Sequence, residues 1–260
     1  MNEYISIEKL VTNLSQAQKT QTLLSKPFAV LLISGSFNPI HKRIIQVLKI
    51  AKQFAEKKYE IVAGYISPFS NEYVNEAYPD EAIPFYNRLQ MIQTAIEEES
   101  WIEINQWESL TSSHSADCNL IITRLSELLN KNNKIKEFLN EKQLKIIYVC
   151  GSDQPLKNNS KEQLKNLETF ELIIVERYFK EKNDNWKNKC IETLSGLYNN
   201  KWKNFENNIS YIEQNDNNPD ITISSTKIRQ KENNWEQMCD FKVSKEPSSG
   251  SCILGVSFLE

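Results

Sequence analysis

Apolar positions recur along this chain in two alternating patterns. Phe28–Ile33 is an unbroken apolar run closing in Ser34-Gly35-Ser36, the pattern of a strand buried on both faces that enters a turn. Lys42 to Glu56 then spaces Ile44, Ile45, Leu48, Ala51 and Phe54 along one side of a helix. The alternation continues with a strand at Ile61–Ile66, a helix at Ile83–Ile96 with Pro84 in its first turn, and a short strand at Trp101–Ile104. Leu120 to Leu139 reads as one or two helices, and Leu144–Val149, Phe170–Val175 and Ile209–Ile212 as further strands. Strands alternating with helices predict a doubly wound α/β domain with a parallel sheet, whose ligands sit at the carboxyl ends of the strands.

The two ends of the chain differ from this middle. Residues 1–25 predict a helix with a thin apolar stripe (Ile5, Leu10, Leu14, Leu23) that docks on the main body or on a partner. From 231 to 260 the periodicity fades, and the apolar Ser251–Leu259 reads as a late strand or an extended arm suited to contact another chain. The organisation expected is a single domain over 26–230 with short extensions at 1–25 and 231–260, as protomer or homo-oligomer.

Composition narrows the function classes. With 260 residues, 40% hydrophobic and 25% charged, the chain is an ordinary globular one. Net charge −3 gives no general electrostatic grip on nucleic acid, and no apolar run approaches the ~20 residues of a membrane span. Five scattered cysteines without a CxxC pair support neither a disulfide frame nor a zinc site and suit a reducing compartment. Cytoplasm is the expected location, with mitochondria left open. Lysine far outnumbers arginine, and the five arginines (43, 88, 124, 177, 229) stand out because a guanidinium fork suits phosphate.

Three short stretches carry candidate chemistry. Gly35-Ser36-Phe37-Asn38-Pro39-Ile40-His41 closes the first strand and opens the first helix, where a glycine admits close backbone approach and the helix start favours an anion. His41 there is either a phosphate donor or an ordinary surface histidine. Cys150-Gly151-Ser152-Asp153 ends a strand, with Asp153 placed to bond ribose hydroxyls or to cap a helix. Ile223-Ser224-Ser225-Thr226-Lys227-Ile228-Arg229 sets hydroxyls before a short helix and Arg229 on the same face as Thr226, a clamp for an anion or simple N-caps.

In this order and at these spacings, GSFNPIH, GSD and ISSTKIR resemble the eukaryotic-like branch of the nicotinamide mononucleotide adenylyltransferases. Tyr65–Pro68, Ile83–Arg88 and Trp101–Ser109 match as well, so the resemblance covers about residues 28–230. It implies a Rossmann-like enzyme joining ATP to nicotinamide mononucleotide, with Mg²⁺ travelling on the ATP phosphates. On that model His41 is the catalytic donor beside the turn Gly35, Ser36 and Phe37, which also meets the mononucleotide. Gly151 and Asp153 hold a ribose, and Ser225, Thr226 and Arg229 grip the distal phosphates; no protein-held metal is implied.

The sequence also departs from that pattern. The family follows the first His or Thr of the turn, three residues on, with a second His; here that position is Ile44. Lys42 and Arg43 bring charge nearby, but one and two positions earlier they project from other helical faces. A stacking tryptophan expected seven residues after Trp107 is His114, either a weaker stacking partner or a plain loop residue, and none occurs in 158–170. Two readings stay open: an adenylyltransferase with a degraded site, or a catalytically silent member kept as a structural or nucleotide-binding subunit.

Overall fold

Six strands, β1 Phe28–Gly35, β2 Glu60–Pro68, β3 Ile102–Ile104, β4 Lys145–Gly151, β5 Glu171–Val175 and β6 Ile209–Ile212, form one sheet in the order β3-β2-β1-β4-β5-β6. Every pairing is parallel. The computed structural model describes residues 5–20, 26–110, 117–140, 142–156, 170–176, 185–214 and 224–231. His114, the stretch without tryptophan at 158–169 and the C-terminal extension beyond 231 therefore lie outside the described residues, as do Cys239 and Cys252. The chain winds outward from β1 through β2 to β3, then crosses back to β4 and on to β6. The order reverses between β1 and β4, where such sheets open a crevice.

Helices cover both faces: α1 Glu8–Thr20, α2 Lys42–Ala55, α3 Asn71–Ala77, α4 Phe85–Ala95, α5 Cys118–Lys131, α6 Asn133–Leu139, α7 Trp186–Tyr198, α8 Trp202–Phe205 and α9 Ser225–Lys231. Strand residues alternate between two cores. Val30, Leu32, Tyr148 and Ile174 join the core under α1, α5, α6 and α7, whereas Leu31, Ile33, Ile147 and Ile173 join the core under α2 and α4. Gly64 in β2 is where Trp101 crosses; a Cβ there would meet the indole ring at 2.7 Å. This is the doubly wound, Rossmann-like α/β fold that the alternation predicts.

The N-terminal segment belongs to this body. Leu10 and Leu14 are fully buried, and Ile5 bridges to Asn105 beside β3. Lys9 Nζ donates to the carbonyls of Ile96, Glu99 and Ile102, and its backbone N–H donates to buried Glu103 at 2.6 Å. Of the two dockings left open for residues 1–25, the described part of the stripe, Ile5, Leu10 and Leu14, takes the protein's own body, while Leu23 lies outside the described residues.

The predicted face of α2 needs correction. Ile45, Leu48 and Ala51 are buried as expected, but Val47, Ala55 and Arg43 complete the buried set, with Ile44 and Phe54 at its margin. Helices α3 and α7 fall on stretches that gave no expectation. The first buries little beyond Val74; the second buries Trp186, Cys190, Leu194 and Tyr198 within a polar, lysine-rich sequence.

Candidate functional site

A cavity of about 360 Å³ opens at the carboxyl ends of β1, β4 and β5, where the sheet order reverses. Its floor begins at the turn after β1. Phe37 takes a left-handed backbone (φ 43), uncommon for a bulky residue and of the kind concentrated at functional sites. The Asn38–Pro39 peptide is cis. Arg88 of α4, fully buried, fixes this turn by donating Nη1 to Ser36 O at 2.8 Å and to Phe69 O at 3.0 Å, and Nε to Ile83 O. Burial lowers its guanidinium to about 10, with nearby Glu108 opposing the shift, so it stays charged at neutral pH. The same burial raises the Glu108 carboxyl well above its usual range.

His41 occupies the N-cap of α2 with an extended backbone, is 7% exposed and lines the cavity. Its carbonyl accepts from Ile44 N–H, and its side chain makes no capping bond to the helix. Gly35, Ser36, Phe37, Gly151, Asp153, Ser225 and Thr226 line the same space, so the structure brings together residues from three stretches far apart in the sequence. Ser225 Oγ donates to Pro39 O at 2.7 Å, which ties the start of α9 to the β1 turn. A Cβ on Gly151 would stand 2.7 Å from Asp153 Oδ1, so the glycine lets that carboxylate fold back over the strand end.

Two of the following three placements differ from the sequence expectation. Ile44 does line the cavity, so an apolar side chain stands where the motif would put a hydrogen-bond donor. Arg43 does not project elsewhere: it is 4% exposed, lines the cavity and donates Nη2 to Glu176 O at 2.9 Å. A long flexible side chain in a first helical turn reaches around its own helix, which a helical wheel does not register. Arg229 is absent from the described lining; its guanidinium binds Glu81 and Asn38 O instead.

Sequence reasoning passed over the far wall, made by Phe69, Tyr73, Ala77 and Tyr78 on and beside α3. The available signal was Ser70, whose Oγ accepts Tyr73 N–H as the N-cap. Beneath the floor, Ser34 Oγ, Tyr148 OH, Cys118 Sγ and Gln154 Nε2 form a buried network, with Ser34 to Tyr148 at 2.8 Å and Gln154 to Tyr148 at 3.1 Å. Burial pushes the Cys118 thiol up to about 12, which disarms it as a nucleophile. Cys118, Cys150 and Cys190 are buried. Among the described residues no cluster of three His, Cys, Asp or Glu is placed to hold a metal ion, and no helix is long and apolar enough to cross a membrane.

Comparison with known proteins agrees with this geometry. The family model described as cytidylyltransferase-like matches residues 32–231. Nicotinamide/nicotinic acid mononucleotide adenylyltransferase 2 of Xenopus tropicalis is 30% identical over 99 residues, covering 37% of this chain and 31% of that protein. Nicotinamide/nicotinic acid mononucleotide adenylyltransferase 1 of Bos taurus is 34% identical over 87 residues, covering 33% and 30%. The Saccharomyces cerevisiae adenylyltransferase 2 is 29% identical over 128 residues, covering 48% and 31%. The matched stretch thus spans about a third of each relative's length. With its parallel sheet, its cavity at the strand reversal and a family-model match over most of its length, this chain belongs to the cytidylyltransferase-like family, and part of it is similar to the mononucleotide adenylyltransferases named above.

Proposed function

We propose that the cavity binds Mg-ATP and nicotinamide mononucleotide and joins them to NAD, releasing pyrophosphate. The observation that carries this reading is the convergence of Gly35–Phe37, His41, Gly151, Asp153, Ser225 and Thr226 on one cavity at the strand reversal. A phosphate oxygen of the mononucleotide attacks the α-phosphorus of ATP; the new P–O bond forms as the bond to the pyrophosphate oxygen breaks. The nucleophile belongs to the substrate, so the protein supplies orientation and charge stabilisation. His41 and the left-handed turn face the α-phosphate, Gly151 and Asp153 hold a ribose, and the hydroxyls of Ser225 and Thr226 meet the outer phosphates. Mg²⁺ carried on those phosphates would supply charge neutralisation for the leaving pyrophosphate. The lining carboxylates of Asp153 and Glu176 are oxygen donors of the type it accepts.

Ile44 favours a second reading. Removing one donor from a site of this kind costs roughly 10²–10³ in rate, and an isoleucine in the cavity offers no donor at all. On this reading the chain keeps the nucleotide pocket and serves as a binding subunit. A coupled assay for NAD from Mg-ATP and nicotinamide mononucleotide separates the two. Turnover that disappears in His41→Ala supports the enzyme. Retained Mg-ATP binding with no product at high protein concentration supports the silent member.

A further inference from the structure

The sheet divides the cavity lining by side. Ile33, Val47 and Val175 belong to the core under α2 and α4, whereas Phe69 and Cys150 belong to the core on the other face, with Tyr73 packed against it. Ser34 shares that second side with Tyr148 and Cys118. Its Oγ lies 2.8 Å from Tyr148 OH and 3.6 Å from Cys118 Sγ. Tyr148 OH in turn lies 3.0 Å from Cys118 Sγ and accepts from Gln154 Nε2 at 3.1 Å. Tyr148 and Cys118 are fully enclosed, whereas Ser34 and Gln154 reach the cavity floor. These partners give the chain of bonds a direction. An amide N–H only donates, so the Tyr148 oxygen accepts there and its single O–H goes to one neighbour. The Ser34 oxygen is the nearer acceptor and, against sulfur, the stronger one. The Cys118 thiol, kept protonated by burial, donates to the Tyr148 oxygen. Ser34 then keeps its own proton, for which the inward acceptor is a sulfur at 3.6 Å, so the cavity is the better direction.

We propose that Ser34 is a substrate-binding residue whose hydroxyl proton is turned into the cavity by Tyr148, and that it meets the acceptor oxygen of the mononucleotide's ring substituent, carboxamide or carboxylate. The proposal rests on the mononucleotide reading above and deepens it by naming a residue that tells the two substituents apart. An aromatic ring on this side of the sheet has Phe69 and Tyr73 as its wall, themselves set edge to face with centroids 5.0 Å apart. The groups assigned to phosphate, His41 and the hydroxyls of Ser225 and Thr226, come instead from the starts of α2 and α9. A donor aimed by a buried network is already oriented when the ligand arrives, and it acts where water is scarce. Its bond to a carboxylate is charge-assisted and about twice as strong as its bond to a neutral carbonyl. Ser34 touches the substrate; Tyr148 acts through Ser34 and is a positioning residue.

The test titrates nicotinamide mononucleotide, nicotinic acid mononucleotide and Mg-ATP calorimetrically into the full chain and into Ser34→Ala, Tyr148→Phe and the double variant. Ser34→Ala is expected to weaken the amide about fivefold and the acid about twentyfold, with Mg-ATP held within about twofold. Tyr148→Phe loses less, about threefold for the acid, and the double variant is no weaker than Ser34→Ala, because Tyr148 works only through that hydroxyl. A merely structural role would move all three ligands together. Equal losses for all three therefore overturn the proposal, as does unchanged mononucleotide affinity in Ser34→Ala, and in both cases the mononucleotide reading stands. A wild-type chain that binds neither mononucleotide overturns that reading and the ligand named here with it. The direction of the network is read without ligand, from the infrared S–H stretch assigned by its loss in Cys118→Ala. A band that moves to higher frequency in Tyr148→Phe supports donation from the thiol to the phenol oxygen, and a band that stays in place overturns it.

Discussion

Ile44 and Arg43 are neighbours in the same first turn of α2, and both reach the cavity with opposite chemistry. The isoleucine contributes shape alone, whereas the guanidinium contributes charge but is anchored to Glu176 O on the β5 side. If the missing donor limits turnover, Ile44→His should raise the rate of NAD formation by about tenfold or more, because a donor aimed at developing charge acts on the transition state. The imidazole needs no net charge to donate one bond, so the gain should persist above neutral pH. Steady-state kinetics should show the change in kcat with KM for ATP nearly constant. An unchanged kcat in a folded variant would move suspicion to the mononucleotide end of the pocket. The significance of position 44 was readable through the family resemblance; the approach of Arg43 was not, since it depends on side-chain length.

At the scale of elements, the strands were legible because both faces of a parallel sheet are apolar, leaving uninterrupted runs at β1, β2, β4 and β5. Helix α3 was not, because seven residues that bury one valine carry too little periodicity to register. Helix α7 hid differently: Trp186, Cys190, Leu194 and Tyr198 repeat every fourth residue, but between lysines and asparagines. The docking of α1 turns on Glu103, invisible in a sequence that shows only one acidic residue in a short strand. Its carboxylate accepts from Lys9 N–H, Ser6 Oγ and Tyr65 OH, yet burial outweighs those bonds and raises its pKa. A carboxyl whose folded pKa is raised holds its proton longer in the folded state than in the unfolded one. Stability attributable to Glu103 is therefore greatest below the ordinary carboxylate pKa and falls as pH rises from there through the raised folded value. Urea unfolding across that interval should show this downward slope, and Glu103→Gln should flatten it while α1 stays docked. A steeper slope in the variant would show that another group titrates there.

The whole molecule places residues from far-apart stretches at one reversal of strand order, so binding at that point should report on the global fold. A ligand bound to the native state alone stabilises it by RT ln(1 + [L]/Kd), about 2.7 kcal/mol at a hundredfold excess over Kd. For a chain of this size each kcal/mol moves Tm by roughly 2–4 °C, so saturating Mg-ATP should raise Tm by about 5–10 °C. That rise is expected whether or not Ile44 permits catalysis, because the cavity residues assigned to the nucleotide do not include position 44. Asp153→Ala should shrink it, since the ribose loses an acceptor at the end of β4, while leaving the ligand-free Tm near the wild type. A Tm unmoved by Mg-ATP at millimolar concentration would argue that the family fold is retained here without its nucleotide, and that the cavity at the β1–β4 crevice serves another ligand.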